Sequence, residues 1–208
     1  SSTKDAFALM GAPGLNPRSV FVDGLDGGHA LELKGKYVQL RNLEVGGRSD
    51  AHAAVLAQGR YFQAIGVNFT SRDVDIERAL AGLILERGLT DDEDASFSRI
   101  IGCMFTYCAT GLFVNRPVLN STGITITEVH IEDCVFRRNT TRDIGQQGAG
   151  ASQSAATING WLITRCHFVD LGGTDFITLN STDNGGQVIN HIADNVFAPH
   201  AVTGTQIV

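Results

Sequence analysis

Charge and proline are scarce in this chain: 18% of its 208 residues are Asp, Glu, Lys or Arg, and only four are Pro. No Pro/Ser-rich stretch or shift in composition interrupts it, which excludes a linker between domains and leaves a single one. No apolar run approaches the roughly 18 residues that crossing a bilayer requires, so a membrane-spanning helix is excluded too. Basic residues are in deficit, 16 Lys and Arg against 22 Asp and Glu for a formal charge of −6. Those 16 are scattered, whereas nucleic-acid binding needs clustered cations over phosphates, which excludes that partner. The start, Ser1-Ser2-Thr3-Lys4-Asp5, lacks a basic segment followed by an apolar one, so a secretory signal is expected to be absent or removed. The four cysteines include no Cys-x-x-Cys and no His/Cys pair at ligand spacing, so no cofactor is expected.

What the chain does have is glycine, 24 residues, and one short line that recurs. The line is an aliphatic residue, two variable residues, then Cys, Asn, Val or Leu, one variable residue, and Phe or Val. Its copies are Leu40 to Val45, Ala64 to Phe69, Ile100 to Phe105, Ile131 to Phe136, Ile163 to Phe168 and Ile192 to Phe197. The final positions, 45, 69, 105, 136, 168 and 197, are 24, 36, 31, 32 and 29 residues apart. Spacing of this order marks stacked repeats, each burying its apolar face against its neighbours. Cys103, Cys134 and Cys166 share one place in successive copies and read as buried core thiols, since free Cys behaves as a small hydrophobe.

Two residues between the aliphatic and Cys-equivalent positions break strict alternation, so a bend is expected there, carrying Asn42, Gly66, Gly102, Asp133, Arg165 and Asp194. A second strand follows the bend. A third is expected at Ala53 to Leu56, Gly82 to Leu85, Gly111 to Val114, Ala155 to Ile158, Asp175 to Leu179 and Gly204 to Val208. With these ladders the chain resembles the right-handed parallel β-helix of the pectate-lyase-like superfamily over residues 19–208, closest in character to phage tailspike and virion proteins. The resemblance implies an all-β, right-handed, single-stranded parallel β-helix of about six to seven coils. Residues 1–18 are expected to form a short helical or irregular cap, with Thr3 to Met10 in helical turns. Gly204 to Val208 would leave an uncapped end, to be covered by a partner subunit unless the chain is a fragment.

Outward positions follow from the inward ones. Just before the aliphatic residue runs the column Gln39, Gln63, Arg99, His130, Leu162 and His191; two residues further back, Tyr37, Tyr61 and Phe97 make an exposed aromatic ladder continued by Glu128, Gly160 and Ile189. Flat rings beside polar donors can hold sugars, and they can equally pack beneath a loop or a second subunit. Between the Cys and Phe positions lies a column of Glu44, Asn68, Met104, Val135, His167 and Val196. Its Met104, Val135 and Val196, with Ile65 and Ile101 at the bend, expose enough apolar surface to expect subunit contact, with a threefold assembly implied by the tailspike resemblance.

Catalytic patterns of related enzymes are missing: Asn-x-Asp, Gly-His-Gly and Arg-x-Lys do not recur in order, and the only Asp-Asp pair is Asp91-Asp92. With Asp94 these acids could hold Ca²⁺, although a charge run is usually a solvated turn. A lyase acting on an acidic sugar needs cations beside the carboxylate and a base, for which Arg137, Arg138, Arg142 and His167 are the candidates. Asn-x-Ser/Thr triplets stand at Asn68, Asn120, Asn139 and Asn180. The expected function is therefore a non-catalytic, homotrimeric structural protein of a virion or cell surface, such as a phage spike, fibre or capsid decoration. Its expected partners are other virion or surface proteins and polysaccharide; the alternative is a polysaccharide lyase or glycoside hydrolase on an acidic polymer.

Overall fold

The computed structural model describes residues 7–11, 21–24, 27–48, 50–72, 78–86, 95–115, 125–146, 157–170, 172–173, 175–179 and 190–198. Short apolar stretches punctuated by turn-tolerant residues make strands, and every one of them pairs in parallel. The chain visits three sheets in rotation. The first pass is β1 (Phe7–Met10), β2 (Phe21–Asp23) and β3 (Leu31–Leu33), and the second is β4 (Val38–Arg41), β5 (Glu44–Gly47) and β6 (Ala53–Ala57). Then come β7 (Gln63–Ile65), β8 (Asn68–Ser71) and β9 (Ala81–Glu86), followed by β10 (Arg99–Ile101), β11 (Met104–Thr106) and β12 (Thr110–Asn115). β13 (Thr125–Thr127) precedes β14 (His130–Glu132), β15 (Val135–Arg137) and β16 (Arg142–Gln146); β17 (Thr157–Asn159) precedes β18 (Leu162–Thr164), β19 (His167–Val169) and β20 (Asp175–Ile177). The last described strands are β21 (His191–Ala193) and β22 (Val196–Ala198).

The first sheet orders β1-β4-β7-β10-β14-β18-β21, the second β2-β5-β8-β11-β15-β19-β22, and the third β3-β6-β9-β12-β16-β20, while β13 and β17 pair separately. An all-β chain with stacked parallel sheets in this order is consistent with a parallel β-helix or solenoid-like fold. Registers place like residues over like. Leu9, Leu40, Ala64, Ile100, Ile131, Ile163 and Ile192 share one row. Val22, Val45, Phe69, Phe105, Phe136, Phe168 and Phe197 share another. The five Phe rings stack at centroid separations of 4.8, 4.6, 5.0 and 4.8 Å, the spacing of the strands that carry them. Cys103, Cys134 and Cys166 are buried beside them, as expected, and neighbouring thiols together with burial push Cys134 and Cys166 above the usual thiol range.

The bend is where the sequence places it. Asn42, Gly66, Gly102, Asp133, Arg165 and Asp194 all have φ between 51° and 61°, the left-handed region that Gly, Asn and Asp enter most cheaply. That conformation turns the chain from the first sheet to the second while keeping its amides in the ladder: Asn42 N donates to Ile65 O at 3.0 Å and Gly102 N to Glu132 O at 2.9 Å.

Two expectations fail. Of the stretch Thr3 to Met10, expected in helical turns, the described part, Phe7–Met10, is a strand seated on Val38–Arg41, with Leu9 over Leu40. The open edge of the first sheet offers that segment ready hydrogen-bond partners, and four residues are too few for a stable helix. In the fifth pass the third-sheet strand is Arg142–Gln146, paired with Thr110–Asn115, and the strand near Ala155 to Ile158 is Thr157–Asn159, which pairs with Thr125–Thr127. Arg142 and Gly145 thus belong to a strand. The error has a chemical cause, because this strand buries Asp143 and Gln146 beside a single aliphatic residue, Ile144. The third sheet is covered on both faces, and outward Leu56 and Ile84 join Ala53 and Ala81 in a second small cluster. Gly204 to Val208 lie outside the described residues.

Candidate ligand-binding site

Each strand of the first sheet from β4 to β18 is preceded by a second left-handed residue: Tyr37 at φ 60°, Tyr61 at 62°, Phe97 at 60°, Glu128 at 55° and Gly160 at 70°. Their amides bond the next pass, Tyr37 N to Arg60 O, Tyr61 N to Ser96 O and Phe97 N to Thr127 O, at 2.9 to 3.0 Å. A left-handed backbone costs a bulky residue about 1–2 kcal/mol. Backbone demands alone would select Gly or Asn at all five places, so three aromatic rings there answer to something else. That makes the column a candidate for function.

The rings form the expected ladder and remain exposed at 53%, 37% and 41%. Tyr37 and Tyr61 stack at 4.7 Å with planes 2° apart, and Tyr61 and Phe97 at 5.3 Å and 21°. This geometry alters the reading of the ladder as a row of sugar platforms, because both faces of Tyr61 are covered by its neighbours. A free ring face occurs where the ladder ends, at Phe97. The next rung, Glu128, leans away over Gly160, where an added Cβ would lie 2.7 Å from Glu128 Oε1. The space that a fourth ring would fill is thus left open. There a cavity of about 280 Å³ is lined by Tyr61, Gln63, Phe97, Arg99, Glu128 and His130.

The polar lining is ordered by the strands. Gln39, Gln63, Arg99, His130, Leu162 and His191 are register partners in adjacent strands. Gln39 Nε2 donates to Gln63 Oε1 at 2.7 Å, which leaves the Gln63 NH₂ as its free donor. His130 Nδ1 lies 3.8 Å from Glu132 Oε1. Ile65 and Ile101 end their strands half-buried in the next outward row, in line with Glu132. Of the sequence candidates, the structure gathers Tyr61, Phe97, Gln63, Arg99 and His130 in one place, with Tyr37 and Gln39 one rung behind. Glu128 is the lining residue that sequence reasoning placed in the column but did not single out.

The other candidates lie elsewhere. Arg137 and Arg138 stand 3.4 and 3.9 Å from Asp170, Arg138 also donates to Tyr107 Oη at 2.8 Å, and Arg142 lies 3.9 Å from Asp175. Each guanidinium is already engaged by a carboxylate, and His167 sits on the second sheet between Val135 and Val196. In that outward row Met104 and Val196 are exposed and Val135 half-buried. Asp91, Asp92 and Asp94 lie outside the described residues, as do Asn120 and Asn180. Among the described residues no group of three or more His, Cys, Asp or Glu could hold a metal ion, and no helix is long and apolar enough to cross a membrane.

Two buried polar clusters escaped the sequence reading. Asn139 Nδ2 donates to Asp143 Oδ1 at 2.7 Å and to Phe105 O at 3.3 Å, and Asn139 Oδ1 accepts from Cys108 N at 3.1 Å. Burial pushes the Asp143 carboxyl up to about 7. Gln58 and Asn115 donate to Glu86 at 2.6 and 2.7 Å, and burial outweighs them in raising its pKa. Asn139, Asp143 and Glu86 are buried, so both clusters stand apart from the surface pocket. The sequon at Asn139 is likewise sealed in the core. The chain matches no protein-family model, no curated protein and no solved structure, so the geometry of the pocket carries the functional reading.

Proposed function

We propose that this chain is a right-handed parallel β-helix of seven coils, pectate-lyase-like in fold, that binds glycan on the outer face of its first sheet without cleaving it. The setting is a structural role on a virion or cell surface as a homotrimer, with polysaccharide and neighbouring surface proteins as partners. Right-handed crossovers are the rule for parallel strands in one sheet. The observation that carries the binding reading is the open Phe97 face, flanked by Gln63, Arg99, Glu128 and His130 in one cavity. An aromatic face with convergent polar groups is what sugar recognition requires. A panel of acidic and neutral oligosaccharides titrated against the protein tests it: binding without release of reducing or unsaturated ends is expected.

A second reading, a polysaccharide lyase, draws on the same cavity, which brings a cation, Arg99, together with two groups able to move protons, His130 and Glu128. Appearance of unsaturated ends, lost in His130→Gln, would replace the binding reading with this one. Arg137, Arg138, Arg142 and His167 are poorer candidates because ion pairs already occupy the arginines.

A further inference from the structure

We infer that Asn139 and Asp143 form a proton-operated latch at the corner between the second and third sheets, closed while the Asp143 carboxyl is protonated and released when it ionises. The latch is independent of the glycan-binding reading. Its first support is that Asn139 joins three successive passes of the chain. Asn139 Oδ1 accepts from Cys108 N at 3.1 Å and Nδ2 donates to Phe105 O at 3.3 Å, which ties it to the pass before. Its backbone carbonyl accepts from Gly172 N at 2.8 Å, which ties it to the pass after. Nδ2 also donates to Asp143 Oδ1 at 2.7 Å, and both residues are fully buried. Whatever moves Asp143 therefore acts on the contacts that hold this corner of the stack together.

The second support is that nothing around the carboxyl compensates a charge. Asp143 Oδ2 is buried with no hydrogen-bond partner. The side towards Gly111 is filled: a Cβ added there would lie 2.6 Å from Asp143 O, 2.8 Å from a Phe136 ring carbon and 3.0 Å from Asn139 Nδ2. β12 packs alongside and carries only uncharged residues. On the corner before it, Cys108 is a thiol that burial pushes up to about 12, so it is neutral. Arg78 donates to Arg138 O at 3.3 Å, Arg138 reaches Tyr107 and Asp170, Arg137 reaches Asp170, and Arg142 reaches Asp175 on β20. Among the described residues none of these groups bonds the Asp143 carboxyl. A carboxylate held by one neutral amide in an apolar core is disfavoured against the neutral acid. Burial accordingly pushes Asp143 up to about 7. Because the shift is upward, the closed state is favoured in acid and the advantage is lost as pH rises through about 7. An ionised Asp143 gains by reaching water, and withdrawing residues 138–143 from Cys108 and Gly172 gives it that route.

The test is amide hydrogen exchange of the full chain at pH 5 and pH 8, expressed as protection factors so that the intrinsic rise of exchange with pH drops out. The Cys108 and Gly172 amides are expected to lose protection about tenfold or more at the higher pH, the scale of one pH unit above the carboxyl's midpoint. Asn42 and Asn68, whose amides bond Ile65 O and Leu43 O in the early passes, should lose clearly less. Asp143→Asn keeps the size of the group and cannot ionise, so it should hold Cys108 and Gly172 equally protected at both pH values. If that variant does not fold, the contrast between the corner and the early passes in the wild type decides alone. Protection that falls equally in both places, that does not fall at the corner, or that falls there in Asp143→Asn as well, overturns the latch.

Discussion

At the scale of single residues, the fold holds Asp143 in a state it would not have in water. One of its oxygens accepts from Asn139, the other is buried without a partner, and its carboxyl is pushed up to about 7 from 3.8. The raised value means that folding favours the protonated form. Its stabilising contribution is therefore complete below pH 3.8 and is lost as pH rises towards 7. By linkage, the loss approaches about 4 kcal/mol for a shift of this size. Asp143→Asn, which mimics the protonated group, should lose less stability than wild type in urea titrations between pH 4 and pH 8. Parallel pH profiles would show that Asp143 stays ionised in the fold. Tyr61 poses the opposite case. Its left-handed backbone costs about 1–2 kcal/mol and its two stacking contacts return a similar amount. Tyr61→Asn should then change stability by less than about 1 kcal/mol while weakening glycan binding; a large stability loss with intact binding would make the ladder purely structural.

At the scale of elements, the rows of like residues carry the stability. Phe136 is stacked between Phe105 and Phe168 at 4.6 and 5.0 Å and is fully buried, so Phe136→Ala should cost about 3–5 kcal/mol. Met104, on the outward side of the adjacent strand, is 43% exposed, and Met104→Ala should cost about 0.5 kcal/mol or less. Chemical denaturation of the two variants checks the assignment of inner and outer faces; equal costs would contradict it. These rows were legible in the sequence because one residue type recurs at one place in each copy. The strand Arg142–Gln146 was not, since its pattern departs from aliphatic alternation to bury Asp143 and Gln146. The first strand, Phe7–Met10, lies within the stretch Thr3 to Met10 expected in helical turns, and nothing local distinguishes its four apolar residues in the two states; the partner strand Val38–Arg41 decides it.

At the scale of the whole molecule, almost all pairing is between residues far apart in the chain, as in Phe105 with Phe136 and Phe136 with Phe168. Such topologies stack by neighbour contacts, and their end strands must be covered. Outward Met104 and Val196 on the second sheet add apolar surface of the kind that association removes. Light scattering is expected to give three times the 22.2 kDa chain mass. Val135→Glu should convert that trimer to smaller species or aggregate. A monomeric wild type would withdraw the threefold assembly and leave the pocket reading untouched.

The sequence by itself determined the repeat, the inward rows, the bends and the aromatic column, because each is a matter of residue type recurring at a fixed place and of which types tolerate a left-handed backbone. Only the tertiary structure decided what that column can do. Stacking covers the faces of Tyr61, and the turn of Glu128 over Gly160 frees the face of Phe97. Register then sets Arg99 beside Gln63 and His130, while Arg137, Arg138 and Arg142 are drawn into ion pairs. These outcomes depend on side-chain direction and on partners 24 or more residues away, as between Gln39 and Gln63. Spacing along the chain does not encode them.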